Sequence, residues 1–141
     1  FFKKLVIFRP YNIYGTRMGK DHVIPDFIKR LKKTKGRSFK IQGSGNEIRS
    51  FCHIDDFVSA FNLLLTKGKH LNIYNIGTDE RIKIKDLAYK MSKILKRKIS
   101  IKKTPLAKGS TKIRVPDITK IKNIGFKPKL NLDKGLRKSI L

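Results

Sequence analysis

The order of elements along the chain predicts an α/β fold. Three observations carry that prediction. An apolar run, Leu5, Val6, Ile7 and Phe8, leads straight into Arg9-Pro10-Tyr11-Asn12-Ile13-Tyr14-Gly15, a strand ending in a tight turn. Apolar residues then recur at helical spacing in three separated stretches, and strand-like runs stand between those stretches. Polar groups at the carboxyl end of the first strand would lie where open α/β sheets bind ligands.

After the opening strand, Ile24, Phe27, Ile28 and Leu31 fall at i, i+3, i+4 and i+7, with Lys29, Arg30, Lys32 and Lys33 between them. This spacing predicts an amphipathic helix ended by Gly36. Residues 39–42 read as a short strand before the turn Gly43-Ser44-Gly45-Asn46, and residues 49–53 as a second strand. A second helix follows, with Ile54, Phe57, Val58, Phe61, Leu64 and Leu65 on one face, Asp55 as its expected N-cap and Gly68 at its close. Residues 71–76 are strand-like, and Gly77 turns the chain into a third helix with a core stripe of Ile84, Leu87, Ala88, Met91, Ile94 and Leu95. Residues 99–103 alternate Ile with polar residues, as a strand does. A loop with Pro105, Gly109 and Pro116 comes next; Asp117 begins a short helix broken by Gly125, and residues 132–141 read as a terminal helix.

A chain of 141 residues can bury one sizeable core, so one domain or part of one is expected. It opens on Phe1 and Phe2 with an apolar strand almost at once, which gives the expectation of a fragment. No apolar run is long enough to span a bilayer and no secretory leader pattern is present, so a soluble protein is expected. Cys52 is the single cysteine, which fits a reducing, cytoplasmic setting without an internal disulfide. The net charge of +25 raises the question of nucleic acid. Of the 35 basic residues 26 are Lys and 9 are Arg, and nucleic-acid readers commonly rely on Arg for bidentate contacts. Lys, Ile and Asn together are what AT-rich coding produces, and the lysines are spread over every helix, so the charge is read as solvated surface and a nucleic-acid partner is disfavoured.

Three sites carry candidate chemistry. The amide of Asn12 offers donors and an acceptor near the sheet's ligand edge, suited to a phosphate or a sugar, although Asn also favours turns for its own sake. Val23, Ile24 and Phe27 sit around Pro25 near a helix start, where they either flank a flat base or simply pack on a core. Arg49 follows the glycine turn, and its planar fork suits a pyrophosphate; the alternative is an ion pair with Asp55 or Asp56. Those adjacent aspartates are explained by helix capping and the macrodipole, and His53, with no Cys or His cluster beside it, is read as structural, so no metal is expected.

These motifs, in this order, resemble the C-terminal half of the nucleotide-sugar epimerases and dehydratases of the extended short-chain dehydrogenase/reductase family. The matching segments are Arg9 to Gly15, the run from Gln42 to Asp56, and Arg114-Val115-Pro116-Asp117-Ile118-Thr119-Lys120 with Ile124-Gly125-Phe126-Lys127-Pro128. The resemblance implies the last strands of a Rossmann-like sheet plus the small α/β substrate-binding domain, with 1–141 as the substrate-binding portion and no complete dinucleotide-binding domain. It implies a nucleotide-diphosphate sugar as ligand, with Asn12 against it, Val23, Ile24 and Phe27 lining the nucleobase pocket, Arg49 and Arg114 clamping the diphosphate, and Asp117 accepting from a ribose hydroxyl. An N-cap role for Asp117 stands beside that last assignment. Pro10 and Tyr11 would lie beside the nicotinamide of NAD. Homodimers are common in the family, which leaves a dimer of the intact protein open.

The family's glycine-rich strand-turn-helix and its Y-x-x-x-K helix are absent. Tyr89 has Lys93 four residues on, but on an ordinary amphipathic helix, where a surface pair is expected. No catalytic residue is therefore assigned, and the chain alone is expected to be inactive. The intact enzyme is expected to be a UDP-glucose 4-epimerase-like protein; the alternatives are a sugar-nucleotide 4,6-dehydratase, a UDP-glucuronate decarboxylase or, in another class, a stand-alone basic module binding nucleic acid or acidic polymer.

Overall fold

The computed structural model describes residues 3–19 and 21–140. Phe1 and Phe2, with which the fragment expectation begins, and Leu141, at the end of the expected terminal helix, lie outside the described residues. In chain order the elements are β1 (Val6–Pro10), β2 (Ile13–Tyr14), α1 (Val23–Lys33), β3 (Ser38–Gln42), β4 (Ile48–Arg49), β5 (Cys52–His53) and α2 (Ile54–Lys67). There follow β6 (Asn72–Ile76), β7 (Ile82–Lys83), α3 (Ile84–Ile94), β8 (Ser100–Thr104), β9 (Ile113–Arg114), α4 (Thr119–Lys122) and α5 (Leu132–Ile140). The α/β architecture is as the sequence predicts. The two-residue strands β2, β7 and β9 were not legible, because two residues carry no period.

The chain divides into two compact units, where its length suggested one core. Unit 1 contains Phe1–Tyr14, Ser50–Glu80 and Val115–Gly135; unit 2 contains Gly15–Arg49, Arg81–Arg114 and Leu136–Leu141. The chain passes between them several times, so apolar stripes that are neighbours in sequence serve different cores.

In unit 1, β1 runs parallel to β6, from Val6 beside Asn72 to Pro10 beside Ile76, and β2 runs parallel to β5. Ala60 and Leu64 of α2 pack with Tyr74 and Ile76 of β6 and with Ile118, Ile121 and Phe126 around α4. The predicted stripe of α2 is too wide for that contact. Ile54, Val58 and Leu65 are exposed, Leu65 by 62%, while Asp56 is buried in their place. Asp55 is not the N-cap. The helix begins at Ile54, and His53 in extended backbone caps it, its Nδ1 accepting from the Asp55 N–H at 3.2 Å. The Asp56 carboxylate accepts from the N–H groups of Lys129 and Leu130 at 2.9 and 3.0 Å, tying a distant loop to the helix.

In unit 2, β3 runs parallel to β8, and β4 lies between antiparallel β7 and parallel β9. Ile24, Phe27 and Leu31 of α1 and Leu87, Ala88 and Met91 of α3 are buried, as are Phe39 and Ile41 of β3. Helix α1 stops at Lys33, before Gly36, because Thr34 turns extended and its hydroxyl donates to the Arg30 carbonyl at 2.7 Å. Residues 49–53 do not form one strand. Strand β4 ends at Arg49 and β5 starts at Cys52, with Ser50 and Phe51 between them.

Candidate functional site

The glycine turn before Arg49 is built around a carboxylate. Oε1 of Glu47 accepts from the Ser44 N–H at 3.0 Å and the Ser44 hydroxyl at 2.9 Å, and its Oε2 from the Gly45 N–H at 2.9 Å. Burial by itself would raise the Glu47 pKa. The hydrogen bonds from its own backbone, Ser44 and Gly45 outweigh it and hold the group below its ordinary value of 4.5. Gly43 and Gly45 both have φ of +78°, and a Cβ at either would fall 2.6 Å from a neighbouring side-chain atom, Oε1 of Glu47 or Cδ1 of Ile41. Glu47 is the residue of this turn that the sequence reading missed. Its signal was an acidic residue one step after a Gly-Ser-Gly-Asn turn.

That turn leads into β4 and places Arg49. In the parallel pairing of β4 with β9, Arg49 lies beside Arg114, on strands about 4.8 Å apart, so both side chains leave the same face. Arg49 donates to the carbonyls of Ile48 and Thr111 at 2.8 and 2.9 Å, and neither arginine pairs with a carboxylate among the described residues. The alternative of an Arg49 ion pair with Asp55 or Asp56 is not seen. Burial, then the neighbouring Arg114 guanidinium, lowers the Arg49 pKa, and Glu47 offsets part of this. Neither guanidinium is ion-paired among the described residues, and Glu47 acts on Arg49 only through its charge.

The apolar residues of the same unit are placed differently. Ile24 and Phe27 are 2% and 4% exposed, and the Phe27 ring stands edge-to-face against Phe39, with the Arg30 guanidinium over both rings. Their side chains belong to the core; Val23 is half-buried.

Unit 1 holds the remaining candidates. Asn12 sits just past β1 in the left-handed region, with φ of +42°, and its Nδ2 donates to the Ser50 carbonyl at 2.8 Å. That bond fixes the amide and leaves Oδ1 and the second N–H for other partners. Pro10 is exposed and Tyr11 half-buried, with the Tyr11 N–H donating to the Ile76 carbonyl at 2.9 Å. Oδ1 of Asp117 accepts from the Thr119 N–H at 2.8 Å at the start of α4, and hydrogen bonding from the Thr119 side chain, then from its backbone, holds the carboxyl below the usual range. The Asp117 carbonyl accepts from Asn75 Nδ2 at 2.9 Å. Arg9 is exposed. No group of three metal-ligating side chains occurs among the described residues, and no described helix is long and apolar enough to cross a membrane.

Parallel strand pairs alternating with helices in each of its two units place the chain in the α/β class. The chain belongs to the NAD dependent epimerase/dehydratase family, whose family model matches residues 3–77. It is 42% identical over 90 residues to the dTDP-D-glucose 4,6-dehydratase of Dictyostelium discoideum, which covers 64% of this chain and 20% of that protein. With the dTDP-D-glucose 4,6-dehydratase of Mus musculus it shares 34% identity over 143 residues, 96% of this chain and 40% of that one. The solved UDP-glucuronic acid 4-epimerase of Bacillus cereus, in complex with UDP-glucuronic acid and NAD, superposes with a TM-score of 0.87 at 27% identity, over 96% of this chain and 43% of that one. The chain thus spans 40% or less of the length of these two curated relatives. Relatives of this kind are sugar-nucleotide dehydratases, decarboxylases and epimerases, and the extended short-chain dehydrogenase fold is shared with them.

Proposed function

We propose that this chain is the substrate-binding portion of an NAD-dependent sugar-nucleotide enzyme and binds a nucleoside-diphosphate sugar through its diphosphate. The observation that carries the reading is the Arg49 and Arg114 pair, side by side on β4 and β9 with no carboxylate partner among the described residues. A diphosphate supplies the charge that this pair lacks. In unit 1, taken by itself, Asn12 offers an oriented amide and Asp117 a carboxylate to hydroxyl or phosphate groups. Val23 and the backbone of Ile24 and Phe27 would border the base.

For NAD, Pro10 and Tyr11 present rings while their backbone donors are absent or spent, since Pro10 has no N–H and that of Tyr11 is bonded to Ile76. Such a surface fits contact with a flat nicotinamide better than hydrogen bonding. When bound, NAD supplies a hydride acceptor and donor. No tyrosine and lysine pair for proton transfer is assigned to this chain, and catalysis is expected to need residues beyond it.

Among the reactions of the family, dehydration of a dTDP- or UDP-sugar now leads, because the dehydratase likeness in sequence reaches 42% identity. The structural likeness to 4-epimerases favours epimerisation as the second reading. A cytoplasmic setting follows from a substrate class of this kind. The test is calorimetric titration of the chain with dTDP-glucose and UDP-glucose. Arg49→Gln and Arg114→Gln are each expected to weaken binding at least tenfold, while Lys127→Gln, at an exposed lysine of unit 1, changes it less than twofold. Equal affinity for all three variants would refute the reading.

A further inference from the structure

The surplus charge is not spread evenly over the folded chain. Unit 2 carries 25 basic and 4 acidic residues, a net +21, whereas unit 1 carries 10 and 6, a net +4. Within unit 2 it is gathered further. A cavity of about 600 Å³ between the outer face of α1 and the β3/β8 sheet is lined by Lys29, Arg30, Lys33 and Lys40, together with Ser38 and Gln42. A second, of about 230 Å³, lies where the loop after α1 meets the loop after α3, and is lined by Lys35, Arg37, Lys96, Arg97 and Lys98. Thr34 borders both, so the two adjoin and together make one cationic depression of two parts.

Among the described residues, no acidic one lines either cavity. The nearest relief is Asp26, already bonded to Arg30 at 2.7 Å on the same helix. On the sheet, Lys40 lies directly beside Lys102 in the parallel register, a like-charge pair that a bound anion would relieve. None of these residues belongs to the diphosphate seat at Arg49 and Arg114.

We propose that this depression binds the phosphodiester backbone of a single-stranded nucleic acid without reading its sequence. Six of the nine lining cations are lysines, point charges that neutralise phosphates without the planar geometry of base recognition. The one aromatic side chain lining it, Phe39, is 1% exposed, so no platform for base stacking is offered. A concave surface accepts a flexible strand more readily than a flat bilayer. The proposal is independent of the sugar-nucleotide reading.

The test is fluorescence anisotropy of a labelled 20-nucleotide oligouridylate against the full chain between 50 and 200 mM salt. The variant with Lys29, Lys33, Lys40 and Lys98 all changed to Gln is expected to bind at least tenfold more weakly, with the log–log salt slope smaller by about 3. Changing Lys67, Lys69, Lys127 and Lys129 of unit 1 to Gln removes the same charge and is expected to cost less than threefold. Changing the first four lysines to Arg is expected to keep the affinity, which separates lost charge from a damaged fold. Equal losses in the two Gln variants, no binding by the unaltered chain, or binding of inorganic polyphosphate but not of the oligonucleotide would each overturn the proposal.

Discussion

At the scale of single residues, the turn between β3 and β4 depends on one carboxylate. Glu47 is 7% exposed and satisfies three donors of the turn, each a hydrogen bond to an ionised group. Its folded pKa lies below its unfolded one, so the stability it contributes is present above about pH 4.5 and is lost as pH falls through the folded value. Glu47→Gln is therefore expected to destabilise the fold by about 1–2 kcal/mol at pH 7, with the gap to the unaltered chain closing at pH 3; urea denaturation at both pH values reads it. Cys52 gives a second check. It is fully buried, and burial, then the Asp56 carboxylate, pushes its thiol up to about 12. A thiol reagent at pH 8 should leave the folded chain unmodified and label it only after denaturant is added.

At the scale of elements, the sequence announces most helices and strands but not which side of each is buried. In α2 the spacing groups Leu64 and Leu65 together, yet Leu64 packs on Tyr74 and Ile76 while Leu65 is exposed. Leu64→Ala is expected to cost about 2–4 kcal/mol and Leu65→Ala under about 0.5 kcal/mol in chemical denaturation. The N-cap was misread for a related reason. Asp is the commoner cap, and only the backbone shows that His53 lies outside the helix and offers its imidazole. Helix α5 holds a second reversal of a local rule. Replacing a helical Gly by Ala ordinarily stabilises, but a Cβ at Gly135 would lie 2.9 Å from Cζ of the buried Tyr14. Gly135→Ala is expected to lower the melting temperature instead of raising it, and a thermal melt followed by circular dichroism decides between the two.

At the scale of the whole molecule, β1 and β6 form a two-stranded parallel sheet, with Leu5, Ile7, Phe8 and Ile73 exposed at it. Parallel sheets are ordinarily covered on both faces, which supports reading the chain as one portion of a larger enzyme. The α/β class was legible because it follows from the alternation of two hydrophobic periods. The division into two units was not, since it depends on which strands pair across long separations, and β4 and β5 look like one strand until their partners are known. The arginine at the end of the glycine turn was legible by type; its partner was named only by resemblance, because the register of β4 with β9 is a tertiary fact. The measurement that bears most directly on that pair is phosphorus NMR of dTDP-glucose titrated with the chain. Both phosphorus resonances are expected to shift with the unaltered chain and to stay in place when Arg49 and Arg114 are both changed to Gln. Shifts confined to the base and sugar protons, with the phosphorus resonances unmoved by the unaltered chain, would contradict the diphosphate seat.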